Sequence, residues 1–440
     1  MFSNKDLRKL IIPLVIEQLL AVTIGMADTV MVSSCGEAAV SGISLVDSIN
    51  FLLITLFSSL ATGGAVIASQ YIGRGDHKSA SLAAKQLFYA SLALSAVLGV
   101  IAVFFRRPVL NMVFGSIEAD VMAHAQIYFL LSAISYPFLA VYNAGAALFR
   151  SMGDSRTTML ISILMNTINI VGNAILIYGF QMAAAAASLV SRAVGAIIIT
   201  VLLLNPRRII FYDKLHKPEI HLSMLKSILQ IGVPNGLENS IFQIGKILVA
   251  SIVSGFGTIS ITANAVAGNL ASLQVIPGMA LGMAMITVVG QCIGAKDYEA
   301  VKKYTKKLML ITYGVVWAMT LLMLLFSKQI LSFYSLSAET TTMTMEVFIV
   351  HGICAVIVWP LAFALPNALR AANDVRFTMI VSLLSMWIFR IGFSYILAIY
   401  FNMGILGTWI AMCIDWFCRG ACFVIRFARG KWKNISFIDN

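Results

Sequence analysis

The stretch IIPLVIEQLL at residues 11–20 returns at residues 231–240 as IGVPNGLENS, and both copies keep a proline followed four positions later by a glutamate. Pro13 and Glu17 therefore map to Pro234 and Glu238, with 234 − 13 = 238 − 17 = 221. Two more landmarks hold the register. ASQYIGRGD, containing Gln70, Gly73 and Asp76, returns as VGQCIGAKD with Gln291, Gly294 and Asp297, again 221 positions on (291 − 70). ALFRSMGDSR returns as NALRAANDVR, which places Arg150 against Arg370 at an offset of 220 (370 − 150). An offset that drifts by one residue over three separated landmarks marks the chain as two copies of one unit.

The copies are built for lipid. Sixty per cent of the 440 residues are hydrophobic and 11% are charged, too few charges to cover a water-facing surface. Apolar stretches long enough to span a bilayer, which takes about 20 residues, run over 10–33, 45–72, 86–105, 122–147, 157–178 and 183–204, and again over 228–254, 262–293, 308–326, 343–369, 377–400 and 405–425. Six and six make an all-α integral membrane protein of twelve transmembrane helices in two pseudo-symmetric six-helix bundles. The expected division is an N-terminal lobe over 1–204, a polar cytoplasmic linker over 205–227 with two prolines, and a C-terminal lobe over 228–440. The first span follows NKDLRK, holds Glu17 and Asp28 and shows no small-residue cleavage site, so it reads as a retained helix. Duplicated hydrophobic halves of this kind characterise transporters that rock one half against the other.

Positive charge sets the topology. With the N-terminus inside, 24 of the 31 Lys and Arg fall in inner segments; only Arg106, Arg107 and Lys328 fall in outer loops, and Arg192, Lys246, Arg390 and Arg419 lie within spans. Both termini are expected in the cytoplasm of a multi-pass protein of the cell membrane. Basic residues so placed answer to topology and anionic lipid rather than to nucleic acid, whatever the net charge of +12. The six cysteines show no metal-ligand spacing and read as small apolar fillers.

An ionisable or amide side chain inside a span is costly enough to mark function by default. Glu17 and Asp28 are eleven residues apart (28 − 17), three helical turns plus about 20°, so both lie on one face of the first span, Glu17 in its inner half and Asp28 in its outer half. Glu17 has a competing structural reading as a packing carboxylate that supports the backbone break at Pro13. In the fifth span Ser162, Asn166, Asn169 and Asn173, at spacings of four, three and four, make one polar stripe on an otherwise apolar helix. Such amides either bond neighbouring helices or serve, beside a carboxylate, as oxygen ligands for a small hard cation; an aspartate in a low-dielectric pocket also suits proton carriage.

The second copy is an internal control. At an offset of 220 the stripe maps to Ser382, Met386, Phe389 and Phe393; at 221 Asp28 maps to Val249, with Lys246 close by, and Arg390 stands one position from the mapped stripe. Amides needed only to join helices of a shared scaffold would be expected to persist in both copies. Their loss from the second favours a cation site confined to the first half.

The Pro-x-x-x-Glu of the first span followed by MADTVMVSS, the QYIGRGD turn, LFRSMGDS and NTINIVGNAILIYG together resemble the multidrug and toxic compound extrusion (MATE) family, over nearly the whole chain and in both halves. The resemblance implies that family's V-shaped pair of bundles and assigns ion coupling to Asp28, which matches the family's aspartate in a D-T motif. The family's fifth-span asparagine matches Asn169. Some archaeal members carry a second aspartate where this chain has Asn173, and their threonine near the start of the sixth span falls at Ser188. Acids that certain sodium-coupled members use in the second half are not carried over, because Glu238 follows its proline at a spacing different from that of those members and the tenth-span acid has no counterpart near Trp359.

The expectation is a secondary active transporter rather than an enzyme, and a monomer. H⁺ or Na⁺ would couple at Asp28, Asn166, Asn169, Asn173 and Ser188, with Na⁺ held by Asp28, Asn169 and Asn173, and no cofactor besides the coupling ion. Glu17, Glu238, Asp415, Met386, Phe389 and Phe393 are expected on the path of small amphipathic organic substrates, cationic because Glu17, Asp28 and Glu238 supply negative charge; pairing of Glu238 and Asp415 with Lys246 and Arg390 is the competing reading. Pro13, Gly25 and Pro234 are the expected hinges. Two alternatives remain at this stage: a lipid-linked saccharide flippase of the same superfamily, which tends to line its cavity with basic residues, and an integral membrane transferase, for which the five histidines are too scattered.

Overall fold

The computed structural model describes residues 2–33, 37–115, 118–176, 185–332, 334 and 336–438, with side chains described outside 24–30, 32–33, 37–39 and 185. Among the described residues the chain is helical, with no strand. The first half runs through α1 (Asn4–Ser33), α2 (Glu37–Arg74), α3 (His77–Phe104), α4 (Arg106–Phe114), α5 (Ala119–Ser151), α6 (Ser155–Ala174) and α7 (Ala185–Leu203). The second runs through α8 (Leu222–Ser254), α9 (Thr258–Gly294), α10 (Tyr298–Leu325), α11 (Ser327–Ser332), α12 (Ala338–Ile357), a π-helical turn over Pro360–Ala364, α13 (Leu365–Ala371), α14 (Val375–Ser385), further π-helical stretches over Met386–Gly392 and Tyr395–Tyr400, and α15 (Gly404–Ala428). Eleven segments among the described residues are long and apolar enough to cross a membrane, and the 30-residue α1 precedes them. The short helices α4 and α11 occupy corresponding connections, after α3 and α10, that the hydropathy pattern leaves unassigned.

The repeated punctuation has a common geometry. Gly75 (φ 80°) and its counterpart Lys296 (φ 55°) are both left-handed, as are Gly153 (φ 82°) and its counterpart Asn373 (φ 67°). Each is followed by an aspartate at the start of the next helix. Asp76 accepts a hydrogen bond from the Ser79 amide at 3.0 Å and Asp297 from the Ala300 amide at 2.9 Å, satisfying helix donors that have no partner of their own. A left-handed residue stops one helix and the aspartate starts the next.

Two compact units divide the chain, Met1–Gly236 and Leu237–Asn440, so the division falls inside α8. Glycines explain why the first turns of α8 belong to the first unit. A Cβ on Gly63 of α2 would stand 2.5 Å from the carbonyl oxygen of Ile228 and 2.9 Å from the amide nitrogen of Gly232, so only glycine lets the two backbones approach. The stretch between α7 and α8 is also fastened to the first unit. Ile210 and Tyr212 are buried, Gln86 of α3 donates to the Glu219 carbonyl at 2.7 Å and accepts from the His221 amide at 3.0 Å, and the Tyr89 hydroxyl donates to the Leu215 carbonyl at 2.9 Å. The polar stretch read from sequence as a linker over 205–227 is thus a docked strap. Within the first unit Phe57, Phe129 and Tyr136 centre an aromatic and aliphatic core; within the second, Trp359, Trp409 and Trp416 do so.

Candidate functional site

In the first unit α6 begins at Asp154, whose carboxylate accepts from the Thr157 amide at 3.1 Å and lies 3.4 Å from Arg208. From that fixed start the 3.6-residue period carries the polar stripe along one face. Asn166 donates to Ser162 at 3.3 Å, and about two turns beyond Asn166 the Asn173 amide donates to the side-chain oxygen of Asn169 at 3.3 Å. Asn169 in turn donates to the Ser188 hydroxyl of α7 at 2.8 Å. Asn169 and Asn173 are buried, whereas Asn166 and Ser188 are half-buried. The structure therefore joins Asn169, Asn173 and Ser188 into one hydrogen-bonded group of amide and hydroxyl oxygens, the donor set that suits a hard cation, and sets the Asn166–Ser162 pair a turn away. Gly25 and Asp28 lie along α1, and their side chains fall outside the described residues.

Glu17 is not a free charge. Its carboxylate accepts from Thr158 at 2.9 Å and lies 3.6 Å from Arg150, all three side chains being largely enclosed. The second copy repeats the ion pair, Glu238 lying 2.7 Å from Arg370, but takes its hydroxyl donor, at 2.7 Å, from Ser382, one turn beyond Thr378, the counterpart of Thr158. Pro-x-x-x-Glu and the Leu-Arg corner, separate landmarks in the sequence, are the two ends of one buried ion pair. Both recur in the second copy, at offsets of 221 and 220, and that joint recurrence is the signal from which the pairing could have been read. Glu238 is consequently not a partner of Lys246 or Arg390, and neither Glu17 nor Glu238 supplies the net negative charge from which a cationic substrate was expected. Pro13 and Pro234 stand within α1 and α8, which continue helically through them.

The rest of the second half differs in kind. Asp415 of α15 is fully buried, accepts two hydrogen bonds from Arg419 at 3.0 and 3.1 Å and lies 3.8 Å from Arg390. Ser385 completes its contacts by donating to the side chain. Met386 is buried against Gly245, whose place a Cβ would fill at 2.7 Å from the Met386 sulfur, so it packs helices rather than facing a path. Phe389 and Phe393 stand beside one another with ring centroids 5.6 Å apart.

One embedded acid escaped the reading of the spans. Asp47 of α2 accepts from the Tyr128 hydroxyl at 2.9 Å and from Asn50 at 3.2 Å, and Asn50 in turn accepts from the Tyr136 hydroxyl at 2.8 Å. Its counterpart in the second copy, 221 positions on, is Gly268 (268 − 47). The rule that picks out Asp28 picks out Asp47 equally.

The MatE family model matches residues 13–175 and then residues 234–396. Both matches are the same length, and 234 − 13 = 396 − 175 = 221 restores the offset of the repeat. The chain belongs to the MatE family. Membership of this MATE family makes it a multi-pass membrane transporter and not an enzyme, and leaves the transferase and flippase readings without support. Among its relatives, an uncharacterised transporter, YisQ, of Bacillus subtilis (strain 168) is 27% identical over 434 residues, covering 96% of this chain and 93% of the relative. A probable multidrug resistance protein NorM of Thermotoga maritima is 26% identical over 442 residues, covering 98% and 93%. A solved structure described as the outward-facing conformation of a multidrug resistance MATE family transporter superposes with a TM-score of 0.89 at 21% identity, over 98% of this chain and 97% of that one. The all-α membrane fold that the family resemblance implies is the fold observed, with eleven candidate membrane spans among the described residues.

Proposed function

We propose that the chain is a monomeric cation-coupled antiporter that exports amphipathic organic molecules, organic cations among them, across the cell membrane, with both termini in the cytoplasm. H⁺ or Na⁺ enters the first-half group of Asp28, Asn169, Asn173 and Ser188, with Asn166 one turn away, and substrate and ion drive opposite changes because each binds one state of the protein better than the other. The observation that carries this reading is the enclosed Asn169–Ser188–Asn173 group, present in one half of a duplicated scaffold and replaced in the other by Met386, Phe389 and Phe393. A purely structural amide pair would have served both halves equally.

The carboxylate of Asp28 supplies the charge in this assignment. If H⁺ is the ion, Asp28 carries it; if Na⁺ is the ion, the amide oxygens of Asn169 and Asn173 share its coordination. Purified protein in sealed vesicles, loaded with a fluorescent organic cation and given a pH gradient or a Na⁺ gradient one at a time, distinguishes them. Asp28→Asn is expected to abolish gradient-driven export while the protein remains folded. Export at the wild-type rate by that variant would remove Asp28 from the coupling role.

A further inference from the structure

In the second unit one ring gathers three cations. The Nζ of Lys246 and the guanidinium carbons of Arg390 and Arg419 lie 5.3, 5.3 and 5.4 Å from the centroid of Phe242, and Arg419 also lies 5.3 Å from the ring of Phe363. The residues come from α8, the π-helical stretch after α14, and α15, so the fold builds the cluster from separated segments. Glu238, Phe242 and Lys246 occur every four residues and share a face of α8. One end of that stripe is the neutral Glu238–Arg370 pair, and the other is the cluster.

The charges in the cluster do not balance. Asp415 is its one carboxylate among the described residues, so the two enclosed guanidiniums leave 2 − 1 = +1 inside, and Lys246 adds a third cation at the exposed edge. Arg390 and Arg419 are 8% and 2% exposed, yet the Nε and one terminal nitrogen of Arg390 and the Nε of Arg419 have no hydrogen-bond partner among the described residues. Lys246 forms no ion pair among the described residues and is itself exposed. Cation–π contact offers about 2 kcal/mol to a desolvated cation, and here three cations share the one ring of Phe242, while enclosing an unpaired ion costs several kcal/mol. The aromatic ring therefore cannot offset the excess charge, but an anion could.

We propose that Lys246, Arg390 and Arg419 form the binding site for an anionic group, a carboxylate or phosphate, on an aromatic or similarly flat substrate whose body stacks near Phe242 and Phe363. Guanidinium donors suit the planar oxygens of such a group, and Lys246 adds a point charge from the exposed side. Transported molecules then include zwitterions and organic anions, besides the cations that Asp28 would favour. The depth within the repeat agrees: Lys246 maps at 221 to Gly25, one helical turn from Asp28, so equivalent levels of the two halves carry opposite charge (246 − 25 = 221). Calling the bound molecule a substrate rests on the antiporter reading above; the binding itself does not.

The test is equilibrium binding, by quenching of tryptophan fluorescence, to the full-length protein in lipid nanodiscs. Three probes share a ring system: 2-naphthoate, 2-naphthyl phosphate and the methyl ester of 2-naphthoate. Both anions are expected to bind about tenfold more tightly than the ester, the gain of one charged hydrogen bond. Lys246→Gln should remove most of that preference, Lys246→Arg should restore it, and the affinity for the ester should stay unchanged throughout. Lys246 is exposed and unpaired, so its replacement leaves the buried Asp415 contacts in place. Equal affinity for ester and anions, or an undiminished preference in Lys246→Gln, overturns the assignment. Export of 2-naphthyl-trimethylammonium under an ion gradient, measured on the same preparations, separates the two ideas: its failure beside intact anion preference defeats the antiport reading alone.

Discussion

The fifth span of the first half and its counterpart in the second start from the same corner and end in opposite chemistry. In the first, Asn169 and Asn173 are enclosed and bonded to each other and to Ser188. In the second, Met386 fills the space over Gly245, Phe389 lies beside Phe393, and Arg390 turns toward Phe242 and Asp415. What both halves retain is scaffold: a glutamate of the first helix paired with an arginine of the corner, a left-handed residue, and an aspartate that starts the next helix. Duplication preserved the parts whose loss would leave a buried charge or an open helix end, and freed the rest of each span to specialise.

The conserved pair gives the largest expected effect. Removing one partner of a buried ion pair leaves the other charge enclosed, a loss of about 3–5 kcal/mol. Arg370, 2.7 Å from Glu238, should fall in that range when replaced by alanine, and Arg150, 3.6 Å from Glu17, should lose less. Thermal unfolding of Arg370→Ala and Arg150→Ala in the same detergent measures the difference; a larger loss in Arg150→Ala would reverse the ranking. Asn169→Ala comes next. Losing the interhelical bond to Ser188 should cost about 1 kcal/mol of stability, while Phe389→Ala at the mapped position leaves gradient response intact; gradient-driven export should disappear only in the asparagine variant.

The smallest effect belongs to the caps. Asp76→Ala should cost about 1 kcal/mol, seen as a lower unfolding midpoint. Hydrogen bonds from Ser79 hold the Asp76 carboxyl below the ordinary carboxylate range. Its stabilising contribution is therefore complete above the unfolded carboxylate pKa and is lost as pH falls through the lowered folded value. Wild type and variant should converge only in strong acid, and convergence near neutral pH would show that the cap contributes nothing.

The spans and their pairing into halves were legible because hydrophobic length and turn chemistry are local, and Gly75, Asp76, Gly153 and Asp154 write their geometry directly into the sequence. Ser188 was legible only through resemblance, and it proves to be the hydrogen-bond partner of Asn169. Ion-pair partners were not legible: Glu17 and Arg150 are 133 positions apart (150 − 17), and nothing local in either stretch points to the other. The π-helical stretches after α14 depend on tertiary packing that hydropathy does not encode. Phe242 drew no notice because an aromatic residue in a span is ordinary until three cations converge on it.

If coupling resides in the first half alone, reciprocal exchange of the two stripes separates the halves. One variant carries Asn169→Phe with Asn173→Phe, and the other carries Phe389→Asn with Phe393→Asn; both are reconstituted in vesicles, checked for folding by thermal unfolding, and followed for export of an organic cation under the gradient that drives the wild type. The first variant is expected to lose all gradient-driven export and the second to retain it. A folded first variant that still exports under the gradient, or a second variant that alone loses the response, would contradict coupling from the first half alone.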